Sequence, residues 1–153
     1  MKDIIIQLLA SFLSAFSFAL LFHVRKNLVL PASFGGVLCW GIYLACCSCM
    51  EGIFYPSLIT TICSTVYAEV LARILRAPAP IFFVPTIIVL VPGGSLFYAM
   101  SAAVQGDMEL AAEHTWTLVL YVLALAAGAS LVWALSDMIR KLIAQHKHSD
   151  ADI

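Results

Sequence analysis

The chain is written as runs of roughly 20 apolar residues, each closed by a polar link too short to hold a domain. The links are Arg25-Lys26-Asn27, Glu51-Gly52, Arg76-Ala77-Pro78 and Gln105-Gly106-Asp107. A run of that length is what a helix needs to cross a bilayer, where the backbone must satisfy its own hydrogen bonds. The fold class that follows is all-α, an integral membrane bundle of five transmembrane helices. The spans fall at about Ile4–Val24, Ala32–Met50, Ile53–Leu75, Ile81–Val104 and Ala111–Ile139. With 63% hydrophobic and 11% charged residues in 153, against about a quarter charged in a soluble domain, no room is left for a soluble catalytic domain. The first run is too long for a signal-peptide core and lacks a small-residue cleavage site.

Charge placement orients the spans. Arg25, Lys26, Arg73, Arg76, Arg140, Lys141 and Lys147 fall on one side, and only Lys2 falls on the other. Glu51, Asp107, Glu109 and Glu113 also lie on that other side. Basic loops stay in the cytoplasm, so the N-terminus is expected outside and the C-terminus inside. Residues 1–143 then form the five-span domain, and 144–153 a short polar cytoplasmic tail without fixed structure. An odd span count excludes an inverted repeat of two equal halves. A transporter built on this chain needs a partner or a second copy, so a homo-oligomer stays open. No basic patch interleaved with aromatics supports nucleic-acid binding.

Small residues let membrane helices approach closely. Candidate stripes are Ser11, Ala15 and Ala19 in span 1, and Gly41, Ala45 and Cys49 in span 2. In span 5 they are Ala124 and Gly128, with Ala127 and Ser130 nearby.

The stretch "PTIIVLVPGGSLFYAM", Pro85 to Met100, interrupts span 4 near its middle. Pro92 has no N–H, so the Ile88 carbonyl loses its helical donor. Gly93 and Gly94 admit backbone angles that other residues resist. Non-helical backbone at that depth is tolerated only against protein or water. Two half-helices would then meet end to end, with Ser95 capping the second. Amides near Gly94 and Ser95 suit a carboxylate; carbonyls near Ile88 and Val89 suit an ammonium group or proton carrier. Pro92, Gly93, Gly94, Ser95 and Tyr98 are the candidate substrate-binding residues, with Ser101 a turn further on. The other reading is a proline kink that only shapes packing.

Glu69 is the acidic residue set well inside a span, and such carboxylates are costly and often functional. It stands four residues before Arg73, a favourable helical pairing. Glu69 and Arg73 are either a coupling or gating pair or an anchor at the cytoplasmic end. Thr86 is expected to be a self-satisfied helix hydroxyl. The cluster Cys46, Cys47 and Cys49 lacks a second ligand pair, so no metal site and no cofactor are expected. Trp116 fits an interfacial belt, whereas Trp40 and Trp133 are expected to pack on helices. No nucleophile–base pair argues for an enzyme.

The segment "AEVLARILRAPAPIFFVPTIIVLVPGGSLFYAM" resembles the threonine/serine exporter family, in its small, YjjB-like membrane half. That half is similar to the C-terminal membrane part of ThrE-type exporters. "LLFHVRKNLVLPASFGGVLCWGIY" resembles the same family's first loop and second span. The most specific part runs through Glu69, Arg73, Pro78, Pro85 and Pro92-Gly93-Gly94. The resemblance implies a subunit in the bacterial inner membrane. It implies export of threonine and serine, driven by the proton-motive force, with a larger membrane subunit as partner. Some relatives are associated with dicarboxylate export, so a succinate-like substrate is the alternative. A non-transporting scaffold subunit is the other.

Overall fold

The computed structural model describes residues 2–149. Its helices are α1 (Lys2–Leu21), α2 (Lys26–Cys49), α3 (Phe54–Ile74), α4 (Pro80–Ile87), α5 (Gly93–Gln105) and α6 (Met108–Ser149). A 3-10 turn, Ile88–Leu90, continues α4. Among the described residues there is no strand. By length and hydropathy, α1, α2, α3 and 108–139 of α6 can each cross a membrane. Residues 80–105 form a helix pair bent by 48° that passes the same test only when its two halves are taken together. Helix α2 begins at Lys26 rather than at the expected Ala32 and carries Pro31 inside it, in its second turn. Helix α6 continues into the expected tail as far as Ser149; residues 150–153 lie outside the described residues.

Local chemistry sets the ends. Gly106 closes α5 in the left-handed region at φ 84°, where the Asp107 amide reaches the Ala102 carbonyl at 3.0 Å. Asp107 then starts α6, its carboxylate accepting from the Leu110 amide at 3.1 Å.

Helix α3 is central, touching α2, α4 and α6. Its packed face carries Ser57, Thr60, Thr61, Ser64 and Thr65, all buried. Four of these hydroxyls return to the carbonyl one turn back, at 2.7 to 2.8 Å. They are thus small, satisfied and compatible with lipid depth. One core cluster gathers Ala19, Val29, Ala32, Ala68, Ala72 and Phe82 from α1 to α4. A second joins Cys39, Leu90 and Tyr121.

Ser11, Ala15 and Ala19 are buried as the stripe in span 1 predicts. Their counterpart on α2 is Gly36, where an added Cβ would stand 2.5 Å from Ala15 Cβ. Of the α2 stripe, Gly41 is half-buried, while Ala45 and Cys49 are exposed in a single copy of the chain; the close approach within the chain lies at Ala32, Ser33, Gly35 and Gly36. On α6, Ala124 and Gly128 are buried while Ala127 and Ser130 face out. A Cβ on Gly128 would press on Thr61 Cβ at 3.0 Å and the Leu58 carbonyl at 3.1 Å. Spacing alone marks a face, but the depth at which helices cross depends on partners the periodicity does not contain.

Helix α5 packs chiefly against α6 and stands away from the α1–α4 bundle. Its outer side shows Phe97, Met100 and Val104, the last 88% exposed.

Candidate functional site

The interruption begins where the sequence puts it, but its chemistry differs in three respects. First, the Ile88 carbonyl is not orphaned, since the 3-10 turn brings the Val91 amide to it at 3.2 Å. Second, Pro92 sits at φ −78°, ψ 56°, and the Gly93 amide donates to the Val91 carbonyl at 2.8 Å. That is an inverse γ-turn, and it produces the bend. Third, neither Gly93 nor Gly94 has a positive φ, and a Cβ on either would meet nothing within 4 Å. Their glycine character is therefore not required by backbone conformation or crowding. It leaves the first turn of α5 bare.

Pro92 starts α5 without a side-chain cap, so Ser95 does not make the expected capping bond. The next amide with a partner is Leu96, bonded to the Pro92 carbonyl at 3.2 Å. Among the described residues the amides of Gly94 and Ser95 have no backbone acceptor. Gly93, Gly94 and Tyr98 are exposed, and Ser95 is half-buried. The Tyr98 ring lies against His114 of α6, centroids 5.7 Å apart, and edge-on to Phe97. Ser101 accepts a hydrogen bond from Gln105 at 2.9 Å. The arrangement is a set of free backbone donors at a helix N-terminus, on the outside of a single copy of the chain.

Glu69 and Arg73 meet at the α3–α6 crossing. Glu69 is 8% exposed, and its Oε2 lies 3.7 Å from Arg73 Nη2. Ser136 of α6 joins them: Arg73 Nη2 donates to Ser136 Oγ at 2.8 Å, and Ser136 donates to Glu69 Oε2 at 2.9 Å. A cavity of about 290 Å³ opens on this triad, walled by Val66, Val70, Leu131 and Leu135. A buried carboxylate on a neutral hydroxyl and an exposed guanidinium can exchange a proton or hold two helices together. Sequence reasoning missed Ser136, because nothing in the spacing connects positions 69 and 136.

Two buried hydroxyls, Ser64 Oγ and Thr86 Oγ1, have no hydrogen-bond partner among the described residues. Thr86 is therefore not the self-satisfied hydroxyl expected of it. It faces Gly35 of α2 so closely that a Cβ there would collide with it. Tyr67 crosses the same place, its hydroxyl donating to the Pro31 carbonyl at 2.8 Å. Trp40 packs as expected, with its Nε1 donating to Gln7 at 3.2 Å, and Trp133 lies on Phe83. The five cysteines are unpaired, and Cys47, Cys49 and Cys63 are exposed. Among the described residues no three His, Cys, Asp or Glu side chains gather as a metal set.

These features define a multi-pass membrane protein with four long apolar helices and one bent helix pair. Within that class, the chain belongs to the family described as Threonine/Serine exporter, ThrE, which matches residues 7–135. The match takes in Glu69, Arg73 and Pro92 to Tyr98 and ends one residue before Ser136. No curated protein and no solved structure matches the chain.

Proposed function

We propose that this chain is the membrane subunit of a two-component exporter of threonine and serine, a transporter and not an enzyme. It works in the bacterial inner membrane with its N-terminus outside and its C-terminus in the cytoplasm, driven by the proton-motive force. The observation that carries the reading is the bare first turn of α5. An unsatisfied amide in hydrocarbon costs several kcal/mol, so the Gly94 and Ser95 amides need a ligand, water or another chain. A helix N-terminus offers amides and partial positive charge to a carboxylate. The hydroxyls of Ser95 and Tyr98 suit the side-chain hydroxyl of threonine or serine. Because α5 stands apart from the bundle, the second wall of this site comes from the larger subunit of the exporter. Glu69 is the residue proposed to carry the coupling proton, with Arg73 and Ser136 holding it. A dicarboxylate such as succinate meets the same amides and is the alternative substrate.

The test is efflux of labelled threonine, serine and succinate from cells lacking their own exporters. The chain is expressed alone and then with the larger subunit. Efflux of threonine or serine only with both subunits is the expected result. Efflux by the chain alone would replace the two-component reading with a homo-oligomer. No efflux with both proteins in the membrane would leave a scaffold subunit.

A further inference from the structure

A cavity of about 730 Å³ lies away from both the break and the Glu69 triad. It is within the size range of ligand pockets, about 300–1,000 Å³. It opens where the α1–α2 and α3–α4 connections come together, and its polar wall is His23, Arg25, Lys26, Asn27 and Arg76. Among the described residues no acidic side chain lines it. Among the described residues Arg25, Lys26 and Arg76 have no carboxylate or hydrogen-bond partner for their side chains. The first turn of α2 begins at the same wall, with no side-chain cap on its amides.

Two of the basic residues occupy positions where glycine is the usual choice. His23 ends α1 at φ 53° and Arg76 ends α3 at φ 50°. In each case the following amide reaches back to a helical carbonyl: Val24 to Ala19 and Ala77 to Ala72, both at 3.0 Å. That is the Schellman closure, in which glycine avoids a steric cost of about 1–2 kcal/mol. The chain instead places basic side chains there, and both line the cavity.

A second, apolar cavity of about 240 Å³ adjoins the first and shares Phe22, Val24 and Ile81 with it. It runs along α4 past Val84 and Pro85, towards the interior of the span. A soluble anion needs only the basic compartment. A charged head joined to a hydrocarbon chain fills both. We propose that this paired cavity binds an anionic phospholipid, with its phosphate among Arg25, Lys26 and Arg76 and an acyl chain along Val84 and Pro85. The site lies at the level where spans end, which is the level of lipid headgroups.

The test uses the delipidated full chain in detergent, with lipid retention read by native mass spectrometry and stability by melting temperature. Phosphatidylglycerol is expected to stay bound and raise the melting temperature, and phosphatidylcholine, inorganic phosphate and glycerol phosphate are not. Replacing Arg25, Lys26 and Arg76 together by Gln is expected to weaken phosphatidylglycerol binding roughly a hundredfold, from about fivefold per basic residue. Val84→Trp fills the apolar groove and keeps every charge. It is expected to lose phosphatidylglycerol retention while melting like the parent without lipid, which decides the matter if the triple variant does not fold. Equal retention of phosphatidylcholine would overturn the proposal, as would unchanged retention in Val84→Trp. Stabilisation by glycerol phosphate equal to that by phosphatidylglycerol would reassign the basic compartment to soluble anions.

Discussion

Glu69 illustrates what one residue does in a setting where charge is expensive. It is buried on α3, bonded by Ser136 and approached by Arg73 at 3.7 Å. Glu69→Gln keeps an acceptor for Ser136 but removes the titratable charge. Export in the two-subunit assay is expected to fall about tenfold or more, as for loss of a proton-transfer group, with membrane level and melting unchanged. Unchanged export would reduce Glu69 to an anchor. Ser136→Ala removes the bridging hydroxyl and is expected to destabilise the chain by about 1 kcal/mol, read as a lowered melting temperature in detergent. The Glu69–Arg73 pairing was legible in the sequence because an i, i+4 spacing fixes which side chains share a helix face. Ser136 was not, because its role comes from the crossing of two helices far apart in the chain. Thr86 was misjudged for a related reason: its environment is set by Gly35, on another helix.

At the scale of the helix, glycines that look alike in the sequence do different jobs. Gly128 is a contact point, with its neighbours already at 3.0 to 3.1 Å from an added Cβ. Gly128→Leu is expected to drive α6 off α3 and destabilise the fold by about 1–3 kcal/mol, again read by melting. Gly93 and Gly94 have open space around them and ordinary backbone angles. Gly94→Ala is therefore expected to leave membrane level and melting as in the parent. The break was legible because a proline without an N–H within an apolar run has few structural readings. Its inverse γ-turn and the 3-10 turn before it were not legible, since several local geometries can absorb the same proline. The stripe on α2 was less legible. Small residues at a spacing of four occur along the whole helix, and the tightest approach is at Gly35 and Gly36, whereas Gly41 meets only Leu8, at 3.9 Å.

Considered as a whole, the molecule is a bundle with one side unfinished. Helices α1 to α4 enclose the small-residue core, α6 closes one flank, and α5 leans on α6 with its other face uncovered. The all-helical class and the long apolar helices were readable because apolar length is set by the bilayer itself. The separation of α5 from the bundle was not, because it depends on the direction in which the chain leaves the bend. The uncovered first turn of α5, completed by the larger subunit, is the proposed substrate site. The most direct measurement is thiol labelling of Ser95→Cys, in a chain whose five native cysteines have been replaced. The chain is expressed together with the larger subunit and treated with a small, membrane-impermeant reagent. Position 95 is expected to react, and threonine or serine to slow the reaction. A position 95 that never reacts, or that reacts at the same rate with and without substrate, would contradict the proposal.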